Sequence, residues 1–379
     1  MLMKKFLPTI IRGAILTTLV ILLIVLNALK NNPEICEAMT RGFSRSYNSF
    51  MSKLTGWIPF SLTELSFITL AAGIVAMVVF AIIGLKRKKY FGSINRAIEI
   101  ASIILLSLNL YSLSCEFAYK RKTMPLPYYE EKVLNSEHVD IYNYYADDVN
   151  LCISQLEFEE TGEVKTSMSL KDVAEEVKKA YAIIDGNDYF ASHFGGVKPM
   201  LSSFVYREFQ ITGVTYSPLT EANINILNTK TGIPLTVAHE LAHTKGVMRE
   251  DDANKLAFYV CINSEHPYLR YSAYSAYFSQ ISVIISDDYI EEEEKENIHK
   301  INATFSKTRR YEYDFWQKHD LLGKIGDFIN DLYIKSNGVE EGTASYSGGT
   351  EYIEDHEKQE LTPSNYQKLF FEKYYRNKA

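Results

Sequence analysis

Three apolar stretches, about 8–29, 60–85 and 97–119, occupy the first third of this 379-residue chain. Each has the roughly 20 residues that a helix needs to cross a hydrocarbon core. Whatever the remainder folds into is therefore tethered to a membrane bundle. A cleaved signal peptide competes for the first stretch, but no clean small-x-small site follows it and two more apolar stretches do, so the expectation is an uncleaved anchor. In the third stretch, Glu99, Asn109 and Glu116 lie in or near the apolar run. Polar groups at membrane depth are costly and tend to face protein, which predicts that this helix packs against its neighbours. Between the first two stretches, Cys36, Met39, Phe43, Tyr47, Phe50, Leu54 and Trp57 recur every three or four residues. That pattern reads either as an amphipathic helix in the headgroup plane or as an ordinary hairpin.

Basic residues near the span ends set an orientation. Lys4, Lys5 and Arg12 flank the first stretch, and Lys86, Arg87, Lys88, Lys89 and Arg96 crowd the loop between the second and third. The positive-inside tendency places both groups in the cytoplasm, against the opposing pull of Lys120, Arg121 and Lys122. The expected organisation is a membrane domain over 1–119 and an extracytoplasmic domain over 120–379, attached to the cytoplasmic membrane with the amino terminus inside.

From about Lys122 the composition is that of a soluble α+β chain. A net charge of −7 leaves no basic footprint for nucleic acid. Four cysteines, Cys36, Cys115, Cys152 and Cys261, show no CxxC spacing. Ser169-Leu-Lys-Asp172 resembles a capping box that opens a helix through Val173, Val177, Tyr181 and Ile184, with Gly186 as its stop. Asn223 to Leu227 alternates polar and apolar residues, as an edge strand with one buried face does.

The central motif is His239-Glu240-Leu-Ala-His243. Residues four apart share a helix face, so both imidazoles can reach one Zn²⁺, and the intervening glutamate can act on a zinc-activated water. Pro234 suits a first helical turn and Gly246 a stop just past the second histidine. Catalytic zinc takes three protein ligands and keeps an open position. The run to Arg249 resembles the extended metzincin motif, except that Arg249 replaces the third histidine and cannot bind metal. Glu250, followed by Ala253 and Asn254, resembles instead the second helix of gluzincin peptidases, whose glutamate is the third ligand. Ala253 and Ala257 share its face and would let two helices approach closely. Glu250 is thus the expected third ligand, with Asp251 or Asp252 as substitutes. The other reading of these acids is that they complement a helix N-terminus. Glu240 is the expected general base. His266, Tyr271 and Tyr274 are candidates for a second electrophile, and the tyrosines read equally as a packed helix face.

The whole chain resembles an uncharacterised bacterial membrane protein family, domain of unknown function 3810. The resemblance rests on Ile58-Pro59-Phe60-Ser61, Tyr216-Ser217-Pro218, the HELAH helix with Arg249-Glu250, Arg270-Tyr271-Ser272 and Asn330-Asp331 through Gly338. It implies a zincin-like domain outside the membrane, with an active-site helix, a second ligand helix and a small sheet with an edge strand. The enzyme reading is a zinc metallopeptidase acting on peptide or protein substrates of the envelope. The alternative is a zinc-containing binding or sensory module without catalysis. Asp287, Asp288 and Glu291 to Glu294 read as a solvated acidic helix face, and Gly342 to Gly349 as a rim over the cleft or a loop.

Overall fold

The computed structural model describes residues 2–286, 290–347, 353–355 and 360–378. Helix α1 (Leu2–Leu29) leads into α2 (Pro33–Met39) and α3 (Arg45–Thr55), joined by a π turn over Thr40–Ser44; α4 (Leu62–Lys86) and α5 (Tyr90–Ser114) follow. Among the described residues, α1, α4 and α5 are the helices long and apolar enough to cross a membrane. The third starts seven residues before the expected position 97 and stops at Ser114, not 119. Cys115 (φ −149°, ψ −24°) leaves helical space, and Glu116–Lys120 forms a separate 3₁₀ turn. Hydropathy locates the apolar run, whereas the helix also takes in the polar turn that precedes it.

Polar residues of α5 face protein as expected. Glu99 pairs with Arg12 of α1 at 2.5 Å, and Asn109 donates to the Leu19 carbonyl at 3.1 Å. The segment between α1 and α4 is helical, and one side of it is engaged. Tyr47 donates to the Pro218 carbonyl, Arg45 donates to the Asp188 carbonyl, and Phe50, Leu54 and Trp57 remain exposed.

Beyond the apolar helices the chain is mostly helical, with small sheets: α6 (Asn135–Gln155), a hairpin of β1 (Glu157–Phe158) and β2 (Val164–Lys165), α7 (Leu170–Ala180), then β3 (Gly196–Pro199), α8 (Ser203–Glu208), β4 (Gly213–Tyr216) and β5 (Glu221–Ile224). Then follow α9 (Ile233–Thr244), α10 (Glu250–Ile262), α11 (Pro267–Ala276), α12 (Phe278–Ser282), α13 (Ala303–Lys318) and α14 (Gly323–Ser336). A hairpin of β6 (Ile353–Asp355) and β7 (Glu360–Thr362) precedes α15 (Asn365–Lys378). The capping box forms as read: Ser169 Oγ accepts from the Asp172 amide, and Asp172 accepts from the Ser169 amide. Glu292 to Glu294 form a turn ahead of a 3₁₀ turn, with Glu291 to Glu293 exposed, not an α-helical face; Asp287, Asp288, Gly348 and Gly349 lie outside the described residues.

One expectation is overturned. The edge strand expected over Asn223 to Leu227 is instead β5, which stops at Ile224, and it is not an edge: the sheet order is β3-β5-β4, with β5 central, parallel to β3 and antiparallel to β4. The alternation holds within β5, with Glu221 and Asn223 on one face and Ala222 and Ile224 on the other, but its polar face is not solvated, and past Ile224 it is Ile226 and Leu227 that are exposed. Thr63, in the first turn of α4, donates its amide (2.9 Å) and hydroxyl (2.8 Å) to Glu221 Oε2, and Asn223 donates to the Val214 carbonyl. Ala222 and Ile224, on the other face, join the main core with Val237, Ala238 and Leu241 of α9. Buried polar groups need partners, and here the first turn of α4 supplies those of Glu221 Oε2.

Candidate metal centre

Helix α9 begins with Pro234 in its first turn, where a missing amide costs nothing, and ends before Gly246, whose φ of +87° is left-handed backbone that glycine adopts freely. Val237, Ala238, Leu241 and Ala242 are fully buried and fix the rotation of the helix. His239, Glu240 and His243 are thereby aimed at one region beside the sheet and α10. Ala253 and Ala257, fully or nearly fully buried, belong to the face of α10 that joins this core. Small side chains allow the close helix approach that brings Glu250 to the histidines.

His239 Nε2 lies 3.1 Å from Glu250 Oε2 and 3.1 Å from His243 Nε2, and His243 Nε2 lies 3.5 Å from Glu250 Oε2. Donor atoms held ~2.0–2.2 Å from a tetrahedral ion sit roughly 3.3–3.5 Å from one another, so the triangle has close to the right size to hold one metal ion. Its orientation fits too. His243 Nδ1 is 2.8 Å from the Val247 carbonyl, to which it donates, leaving the Nε2 lone pair pointed at the cluster. Two imidazole nitrogens 3.1 Å apart need a proton or a cation between them.

The electrostatics favour positive charge. Burial alone would depress His243, but the adjoining Glu250 carboxylate overrides it and lifts the imidazole to about 9. Burial opposes ionisation of Glu250, yet His243 and His239 hold its carboxyl well below the usual range. Glu240 is raised by burial, moderated by the two histidines. Its carboxylate is held by Thr215 of β4, whose Oγ1 is 2.7 Å from Glu240 Oε2 and 2.9 Å from the Glu240 carbonyl. Gly213 of the same strand leaves room for it: a Cβ there would stand 2.5 Å from Glu240 Oε1.

Asp251 and Asp252 turn away from the triangle, both pairing with Lys255, at 3.2 and 2.7 Å. The three expected electrophiles are elsewhere. His266 caps α11, Tyr271 shares a hydrogen bond with Thr308, and Tyr274 donates to Asp148. The sequence reading did not single out Tyr346 by number. It lies in a 3₁₀ helix over Gly342–Ser347, within the segment read as a rim, and burial first, with the Glu250 and Glu240 carboxylates adding to it, pushes its phenol upward. Asn254, one turn beyond Glu250, donates to the Tyr346 carbonyl at 3.3 Å, and Asn330 donates to its hydroxyl at 3.0 Å. Only the gluzincin-like Asn254 hinted at this arrangement in sequence.

A family model described as "Protein of unknown function (DUF3810)" matches residues 40–353, most of the chain, so the protein belongs to that family. No curated protein and no solved structure matches it.

Proposed function

We propose that this member of the DUF3810 family is a membrane-anchored zinc metallopeptidase that hydrolyses peptide bonds of envelope or secreted proteins. The observation that carries the reading is the convergence of His239, His243 and Glu250 on one point beside a separately held Glu240. Two imidazoles and a carboxylate are a donor set that suits zinc and leaves a fourth position open. When bound there, zinc supplies a Lewis acid and a water of lowered pKa.

The chain's own residues do the rest. Glu240 accepts a proton from the attacking water and later returns it to the leaving amine. The Thr215 hydroxyl satisfies it in both states: it donates to Oε2 of the carboxylate, or accepts from the carboxylic acid while donating to the Glu240 carbonyl. Burial raises the Glu240 carboxyl above its ordinary value, which makes it a stronger proton acceptor. Tyr346, whose oxygen accepts from Asn330, has its own proton free to donate to the developing oxyanion. β4 pairs only with β5 among the described residues, so its outer edge is the candidate template for an extended peptide. The positive-inside pattern supports a domain outside the cytoplasmic membrane, with α1, α4 and α5 as candidate anchors.

The test is metal analysis of the purified full-length protein, followed by peptide-library cleavage by wild type and Glu240→Gln. One zinc equivalent in both, with cleavage lost by at least ~10²-fold in the variant, supports the reading. A zinc-loaded wild type that cleaves nothing favours the alternative, a zinc-containing binding or sensory module. A chain with no affinity for metal ends both.

A further inference from the structure

Helix α14 has three faces rather than two. Gly326 and Ile334 are buried against the domain; Lys324, Asp327, Asp331 and Lys335 form a charged flank. On the remaining side Ile325, Phe328, Ile329 and Leu332 are 51%, 63%, 56% and 52% exposed. At 3.6 residues per turn these four fall in one stripe about 100° wide. A soluble surface rarely leaves a contiguous apolar stripe in water, so something covers it.

Both ends of α14 are tied to the apolar helices. Near its C-terminus, the Tyr333 hydroxyl is 2.9 Å from that of Tyr111, and Tyr111 also donates to Asn337 at 2.9 Å. Tyr111 lies three residues inside the end of α5, a depth of roughly 4.5 Å at 1.5 Å per residue. At the other end, the Leu322 amide donates to the Glu208 carbonyl, and Gly326 packs against the backbone of Phe209. Those residues close α8, and just before α8 begins the Ser202 amide donates to Glu64, in the first turn of α4, at 2.9 Å. A helix of 14 residues, about 21 Å long, is thus held between the exits of two membrane helices. Leu201 and Phe204, beside the α4 anchor, are 63% and 64% exposed.

We propose that α14 lies in the bilayer interface, with its Ile325–Leu332 stripe buried in the leaflet from which α4 and α5 emerge. Lipid is the occupant that this anchoring selects. The stripe continues the apolar surface of the neighbouring helices, and the tyrosine pair joining them belongs to the residue type that gathers at membrane interfaces. The helix also grips the 3₁₀ turn that carries Tyr346: Asp331 accepts from the Thr343 amide at 3.0 Å, and Asn330 holds Tyr346. Asn254 of α10 bonds the same turn, so a lipid-embedded α14 keeps α10 and its Glu250 near the membrane surface.

The experiment places a bimane fluorophore on Ile329→Cys, and separately on Asp327→Cys, in full-length protein reconstituted into phosphatidylcholine–phosphatidylglycerol vesicles. The four native cysteines are buried and do not compete for label. Doxyl-labelled phospholipid should quench the Ile329→Cys probe at least twofold while aqueous iodide leaves it unaffected, and Asp327→Cys should behave in the opposite way. Phe328→Cys carries the same expectation as Ile329→Cys and guards against a local fault of one labelled variant. Quenching of both stripe probes by iodide but not by lipid overturns the proposal in favour of a solvent-exposed face. Protection from both quenchers overturns it in favour of a second copy or another protein. None of these outcomes depends on metal or on hydrolysis.

Discussion

Thr215 Oγ1 stands 2.7 Å from Glu240 Oε2, across the gap between strand β4 and helix α9. The proposed proton acceptor is therefore held by the sheet rather than by its own helix. Thr215→Val keeps the β-branched shape and removes the hydroxyl. A hydrogen bond to a charged group contributes about 1.5–3 kcal/mol, so kcat should fall roughly ten- to hundredfold, with zinc content unchanged. Thr215→Ser should recover most of the loss. Steady-state kinetics of the two variants decide the matter, and equal rates for Val and Thr would remove Thr215 from the mechanism.

Gly213 tests the same contact sterically. An alanine Cβ would meet Glu240 Oε1, Cγ and Cδ at 2.5, 2.6 and 2.8 Å. Displacing a buried, pinned side chain costs about 1–3 kcal/mol. Gly213→Ala should lower the thermal midpoint and reduce turnover while the histidines keep their metal, measurable by scanning calorimetry beside zinc analysis.

Glu250→Gln separates a ligand from a helix-terminal charge. As third ligand, its loss should release zinc to a mild chelator and abolish the stabilisation that zinc gives the wild type, which reaches about 4 kcal/mol at a thousandfold excess of free metal over Kd. As a charge at the start of α10 it would be worth only ~0.3–1 kcal/mol, with Asp251 and Asp252 still in place. A variant that retains a full zinc equivalent after dialysis would sink the assignment.

Tyr346→Phe should reduce kcat by roughly 10²- to 10³-fold with little change in KM or metal content, as the loss of an oxyanion donor does. Tyr271→Phe is the control. Its hydroxyl is 2.7 Å from Thr308 Oγ1, away from the triad, so its removal should affect stability and leave kcat alone.

Orientation is tested separately. Eight basic residues flank the two ends assigned to the cytoplasm, so an alkaline phosphatase fused after Ala379 should be active and a fluorescent protein that matures only in the cytoplasm should be dark. The reverse pattern would place the metal centre inside the cell and change the substrate class.

Much of this protein was legible in the chain itself, because the signals involved are local. Apolar runs of membrane-spanning length, the capping pair Ser169–Asp172, Pro234 and Gly246 bracketing α9, and the i, i+4 histidines are each set by helical periodicity or by backbone conformations that few residues tolerate. Glu250 was within reach for a similar reason: Ala253 and Ala257 announced a helix face made for close packing. Strand order, by contrast, depends on partners distant in sequence. Asn223 reads as solvent-facing until Thr63, some 160 residues earlier, is seen to accept from its amide. Tyr346 could not be distinguished among 27 tyrosines, because its place beside α10 is set by hydrogen bonds from Asn254 and Asn330. The three tyrosine and histidine candidates nearer in sequence fell away because helix direction carries them to other partners. Local sequence determined which groups could bind a metal and where helices start and stop; only tertiary packing decided which strand flanks Glu240, which turn packs beside α10 and which face of α14 stays exposed, since each depends on contacts between segments far apart in the chain.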